Sequence, residues 1–311
     1  MTKAYNTYII SKAQFEVDKM KKNNEENIAY KVSNTSIFLN IILSIGKFFA
    51  GILGHSKAMI SDAMHSLSDV FSTIIVIIGI KISSKDSDES HPYGHEKFEC
   101  IAAIILSFML LATGLAIGGS AIKVIATKSY VDSKMPGITP LIFAIISIIL
   151  KEAMYWYTRH YAKKIDSTAL MADAWHHRSD ALSSIGSFIG ILGSRLGYKI
   201  LDSVACIVIS LLVIKAAIEI FIDAINKVVD KSCDEETVNK IRKTILSNND
   251  VKNIDNLKTR VSGNKIFVDV EIAVEKNMSL EDAHDIAEDI HNRVETKYKS
   301  VKHCMVHVNP E

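Results

Sequence analysis

The sequence predicts a membrane all-α bundle of six transmembrane helices, followed by a cytoplasmic α+β domain of order α-β-β-α-β. Three observations carry that expectation. Hydrophobic residues fill 48% of the 311 positions and mean hydropathy is +0.18, although 23% of the residues are charged. So much charge beside so much apolar length implies an uneven distribution, with a membrane part joined to a soluble part. Six apolar stretches are each long enough to cross a hydrocarbon core that needs ~20 helical residues. Beyond residue 231 the pattern changes to short amphipathic segments separated by turn residues.

Residues 1–32 mix Lys, Glu and Asn and lack the apolar core of a cleavable signal, so they read as a cytoplasmic tail or a surface helix. The six apolar stretches span about 33–54, 58–83, 98–126, 138–160, 168–194 and 201–226, giving a transmembrane domain over 33–230. The first, third and last are plain candidates. The second, fourth and fifth carry Asp62, Lys151, Glu152 and Asp180. Lys151 and Glu152, adjacent in the fourth, suggest a cytoplasmic cavity. Lys3, Lys12, Lys19, Lys21, Lys22 and Lys31 precede the first stretch, and Arg159, Lys163 and Lys164 follow the fourth. Lys57, Lys128, Lys134, Arg195 and Lys199 on the other side are more scattered. Lys/Arg excess marks the cytoplasmic face, and an even helix number puts both termini there.

Residues 231–311 form the cytoplasmic domain. Ser232-Cys-Asp-Glu235 reads as a capping box opening a helix to about Ser247. Val251–Ser262 and Lys265–Glu275 read as strands around a Gly263-Asn264 turn. In the second, Ile266, Val268, Val270, Ile272 and Val274 alternate with polar positions, as one buried sheet face requires. Ser279 caps a second helix to about Tyr298, and Val301–Val308 is the last strand. The order is ferredoxin- or metallochaperone-like. A core of about 80 residues is marginal alone, so pairing with a second copy is expected.

A net charge of +1 gives no sign of nucleic acid as a partner. The four cysteines, Cys100, Cys206, Cys233 and Cys304, stand far apart with no C-x-x-C pair, against a disulfide framework or a thiolate zinc site.

Chemistry concentrates in a repeated pattern inside two of the apolar stretches. Asp62-Ala-Met-His65-Ser-Leu-Ser-Asp69 and Asp173-Ala-Trp-His176-His-Arg-Ser-Asp180 both read D-A-x-H-x-x-S-D. Offsets of three, four and seven fall on one helix face. Ionisable groups in a membrane cost at least ~2.5–3.5 kcal/mol each on insertion scales and usually face a cavity that serves transport. A lone histidine there would read as a satisfied core donor, but the matched repeat favours a metal. His65 with Asp69 and His176 with Asp180, each one turn apart, would supply four ligands for a tetrahedral divalent ion such as zinc. Asp62 and Asp173 fit a supporting role that orients a histidine. His177 points about 100° away and reads as a bystander or interhelical hydrogen bonder.

On these residues the chain resembles the cation diffusion facilitators, carriers that export divalent metal in exchange for protons. The resemblance spans nearly the whole chain, through the six helices, the segments Ser61–Ser72 and Ala172–Ser184, and the terminal domain. It implies a homodimeric, non-enzymatic, multi-pass protein of the inner or plasma membrane, in contact with lipid and protons. It also implies a mid-membrane transport site of His65, Asp69, His176 and Asp180. Two His-x-x-x-Asp pairs resemble the zinc-preferring members; the alternatives are Fe²⁺, Mn²⁺, Co²⁺ or Cd²⁺ as cargo. No resident cofactor is implied.

Between the second and third stretches, His91 and His95 stand four apart beside several acids. By composition this is either a metal site or a solvated loop; the resemblance implies a metal site of Asp88, His91 and His95. In the terminal domain it implies regulatory metal between subunits at positions occupied here by Asp255, Glu271, His284 and His307. Two of these are oxygen ligands where the family is richer in imidazole, which weakens a zinc site. A membrane metallohydrolase would need an open coordination position and a general base, and the sequence has neither H-E-x-x-H nor a nucleophile elbow. A metal sensor without transport would leave the membrane acids unexplained.

Overall fold

The computed structural model describes the backbone of residues 2–53, 57–128, 138–195 and 200–311. Within these it describes the side chains of residues 24–49, 52, 66–67, 69–128, 142, 145–182, 184–185, 200, 203–204 and 206–311. The chain divides into two compact units, Lys22–Ala224 and one containing Ile225–Glu311.

Among the described residues, six long helices precede the terminal domain: α1 (Thr2–Leu53), α2 (Lys57–Ser83), α3 (Lys97–Ala126), α4 (Ile138–Ile165), α5 (Thr168–Arg195) and α6 (Leu201–Val228). The polar start of the chain and the first apolar run share a single helix, α1. Among the described residues, two stretches, Asn24–Phe49 and α3, are apolar and long enough to cross a membrane by length and composition alone. The distribution of side chains tells more than composition. Phe71 on α2, Ile149 on α4 and Leu211 on α6 are 65%, 63% and 62% exposed. Lys151 and Asp69, by contrast, are each 1% exposed, and Asp173 and His177 are fully buried. Water-soluble proteins rarely expose contiguous apolar surface of this kind. Apolar groups outside and ionisable groups inside is the arrangement that a lipid surround favours, so this is a membrane-associated multi-helix domain.

Polar and aromatic contacts fix the helices around α5. Thr73 of α2 donates to Asp173 Oδ1 of α5 at 3.2 Å. Arg178 of α5 lies 4.4 Å over the Tyr155 ring of α4 and 3.7 Å from Glu152. Small residues set the closest approaches. A Cβ added at Gly79 would meet the Ala102 methyl at 2.4 Å, and one at Gly118 would meet Ser210 Oγ at 2.7 Å. Gly114 and Gly118, four apart on α3, form a small-xxx-small stripe against α6, the device by which membrane helices bring their backbones together. Gly118→Leu is therefore expected to destabilise the bundle by ~1–3 kcal/mol, the usual cost of overpacking. A lowered thermal unfolding midpoint of the detergent-solubilised protein would register it, and an unchanged midpoint would contradict the close approach.

The terminal unit folds as α7 (Glu235–Ile245), β1 (Asn253–Ser262), β2 (Lys265–Val274), α8 (Leu280–Lys297) and β3 (Val301–Pro310). The sheet order is β1-β2-β3, with β1 and β2 antiparallel and β2 and β3 parallel. The parallel pair requires a crossover, which α8 supplies. Gly263 opens the β1–β2 turn at φ 61°, a left-handed conformation that a side chain disfavours. Val268, Val270, Ile272 and Val274 turn to one face and pack with Ile241 and Ile245 of α7 and Ile286, Ile290 and Val294 of α8. Ser279 caps α8 by accepting from Asp282 N–H. The cap of α7 is Asp234, which accepts from Thr237 N–H, and not Ser232 as the capping-box reading has it. Ser232 is drawn to β1 instead, its hydroxyl 2.9 Å from Thr259 Oγ1. Two bonds from Thr237, one from its backbone amide and one from its hydroxyl, hold the Asp234 carboxyl below its ordinary range.

Candidate metal centre

Helix periodicity, one buried lysine and two helix pairings build the membrane cluster. Asp69 stands on α2, and His176 and Asp180 stand one turn apart on α5. All three are buried, and one ligand atom from each lies within 4.8 Å of the others. His176 Nε2 is 3.3 Å from Asp69 Oδ1. A tetrahedral ion with bonds of ~2.0–2.1 Å sets its ligand atoms about 3.3–3.4 Å apart, so this edge is already at coordination distance. His65 and Asp62, the other sequence candidates on α2, have side chains outside the described residues.

Lys151 is the residue that sequence reasoning did not place here. From α4 its ammonium donates to Asp69 Oδ2 at 2.5 Å and to Asp180 Oδ2 at 2.9 Å. It bridges the two carboxylates of the cluster. Glu152, its neighbour, turns elsewhere: it accepts from Trp156 Nε1 and faces Arg178. The charged pair Lys151-Glu152 inside an apolar run was the available signal, but the sequence could not say which of the two turns inward or which acids it would meet. Asp173 meets His177 Nε2 at 3.5 Å, and the same nitrogen lies 3.3 Å from Ser36 Oγ on α1. Of the two roles the sequence leaves open for His177, bystander or interhelical hydrogen bonder, this contact is the second.

The loop between α2 and α3 gathers a second group, Asp88, His91 and His95. Pro92 and Gly94 exclude a helix here, and Gly94 takes φ 100° to close the turn. Asp88 lies 3.4 Å from His95 Nε2 through one oxygen and 3.6 Å from His91 Nδ1 through the other. His95 is buried, with Nδ1 3.1 Å from the Asp86 carbonyl. A proton on Nδ1 donated to that carbonyl leaves Nε2 as the ligand atom, a common way to fix a metal-binding tautomer. Hydrogen bonds from the Ser90 hydroxyl and the His91 and Ser90 amides hold the Asp88 carboxyl down at about 2, so it offers an ionised ligand oxygen.

In the terminal domain Asp255, Glu271, His284 and His307 do not form such a group within one chain. Glu271 and His307 are register partners across β2 and β3. Glu271 accepts from Asn256 Nδ2 at 3.1 Å, and Asp255 accepts from Asn309 Nδ2 at 2.9 Å. His284 is exposed on α8. Cys304 is buried with the core, and burial followed by the Glu295 and Asp269 charges pushes its thiol up to about 12. It supplies no thiolate at neutral pH.

Residues 34–227 match the cation efflux transmembrane domain, and residues 233–311 match the cation efflux protein, cytoplasmic domain. The chain belongs to the cation diffusion facilitator family. Family membership makes the protein a carrier and not an enzyme. Among its relatives is an uncharacterised transporter of Methanocaldococcus jannaschii, 37% identical over 88% of this chain and 95% of its own. Metal tolerance protein C1 of Arabidopsis thaliana is 33% identical over 90% of this chain and 62% of its own. The manganese efflux system protein MneP of Bacillus subtilis is 32% identical over 92% of this chain and 97% of its own. The transporter thus carries two described His/Asp groups in its helical domain with the donor types that divalent metals take.

Proposed function

We propose that this family member exports a divalent transition metal from the cytoplasm in exchange for protons, through a transport site made by Asp69, His176, Asp180 and His65. One observation carries the reading: two carboxylates and an imidazole converge, buried, inside helices whose outer faces are apolar. In this reading α1 to α6 cross the membrane as a six-helix bundle with both termini cytoplasmic, in the inner or plasma membrane. The terminal domain, too small to be robust alone, pairs with a second copy, and Asp255, Glu271, His284 and His307 hold regulatory metal at that pairing. Asp88, His91 and His95 form a second site at the membrane surface.

Coupling follows from the ligands. A metal binds the neutral imidazole and the ionised carboxylate, so metal entry releases protons and protons displace metal. Alternating access about a fixed site then carries the ion outward, as is common in transporters built this way. Lys151 adds an internal competitor: its ammonium holds the position between Asp69 and Asp180 that the cargo takes, and must withdraw as the metal arrives.

The nitrogen-containing donor set favours Zn²⁺. A second reading, Mn²⁺ as cargo, is favoured by the relative named as a manganese efflux system. Metal uptake into proteoliposomes under a pH gradient, comparing Zn²⁺, Mn²⁺ and Fe²⁺, separates them. Uptake of Zn²⁺ above the others supports the first and of Mn²⁺ the second. No gradient-dependent uptake of any of the three would refute export by this site.

A further inference from the structure

We infer that the terminal domain holds a divalent transition metal at His291, Glu295 and His303, a site built within one chain and separate from the positions that the family resemblance implies. His291 and Glu295 stand one turn apart on α8, and His303 is the third residue of β3. His291 Nε2 is 3.4 Å from Glu295 Oε1, and His303 Nδ1 is 3.3 Å from the same oxygen. Bonds of ~2.0–2.1 Å to a tetrahedral ion place ligand atoms about 3.3–3.4 Å apart. Two edges of the coordination polyhedron are therefore in place. The two rings, 5.4 Å between centroids and inclined at 72°, do not stack on each other.

Secondary contacts orient the ligands. His291 Nδ1 lies 2.8 Å from the Cys304 carbonyl, an acceptor, so this nitrogen carries the proton. In the neutral ring, Nε2 then presents its lone pair to the Glu295 carboxylate. Two acceptors face each other at 3.4 Å and call for a cation between them. A proton serves one such pair; a divalent ion serves all three ligand atoms. Glu295 Oε1 is itself held by the Cys304 amide, which donates to it at 2.9 Å. The backbone of one residue thus fixes both α8 ligands, which is the support metal-binding residues commonly receive. The buried Cys304 side chain stays out of the site. His303 is 46% exposed, so water reaches the cluster and can fill the fourth position. Imidazole and carboxylate donors suit Zn²⁺ and its neighbours, and the ion ties α8 to the edge strand β3.

This site does not depend on the proposed transport reaction, so its failure and that of transport are separable. The test is Zn²⁺ binding to the purified full-length protein by equilibrium dialysis in detergent, comparing wild type with His291→Gln and His303→Gln. Each variant is expected to bind one Zn²⁺ fewer per chain. His303→Gln leaves the His291–Cys304 bond intact, so it stays informative should His291→Gln fold poorly; unfolding in chelator reports on that. Thermal protection by Zn²⁺ should shrink in step, because a ligand stabilises only through the state that binds it. Unchanged stoichiometry in a folded His303→Gln protein would overturn the assignment. So would the loss of a site on Asp69→Asn with none lost on His303→Gln.

Discussion

Asp180→Ala is expected to lower metal export at least about a hundredfold while leaving the protein able to bind metal in its terminal domain. The carboxylate does two things at once. It offers a ligand oxygen beside His176, and it shares Lys151 with Asp69. Removing it strips one negative charge from the pocket proposed to accept a dication, and leaves a buried ammonium with a single acid. Breaking a buried ion pair by deleting one partner costs ~3–5 kcal/mol, and ~2.7 kcal/mol already corresponds to a hundredfold in an equilibrium. Gradient-driven uptake into proteoliposomes measures the loss. Export at more than a tenth of the wild-type rate would place the cargo's path elsewhere.

Lys151→Met should act in the opposite sense on binding. Without the ammonium, Asp69 and Asp180 confront each other with no lysine between them, and the metal-free protein loses stability by ~3–5 kcal/mol, the cost of a broken buried pair. A bound dication restores the balance of charge, so the loss falls mainly on the empty state. Metal affinity at the site should therefore rise by about a hundredfold or more, with slower release and lower turnover. Calorimetric titration, with thermal unfolding recorded with and without metal, tests both halves. Equal or weaker binding in the variant would mean that the lysine supports the occupied site instead of competing for it.

Most of the fold was legible because its signals are periodic. The six long helices follow six apolar runs, and the alternation from Ile266 to Val274 gave the buried face of β2. The D-A-x-H-x-x-S-D repeat located Asp69, His176 and Asp180, because a helical offset is a statement about direction. What stayed hidden depends on which helices touch. Lys151 shows in the sequence as a charge inside an apolar run, yet its partners lie 82 and 29 residues away. The same holds for Ser232, whose local context suggested a cap while a long-range bond to Thr259 claimed it. His303 and Glu295 are eight residues apart across a helix end and a turn, a separation with no fixed geometry.

The outward placement of Phe71, Ile149 and Leu211 has a bearing on how this chain tolerates change. In a protein dissolved in water, greasy positions are the fragile ones and polar positions drift freely. Between these outward apolar positions and the buried polar ones, the rank order inverts. Random mutagenesis should accept almost any oily replacement at those three sites, while the serines, acids and histidines of the interior accept very little. A damage score calibrated on water-soluble proteins would overrate the harm of changes at these outward positions.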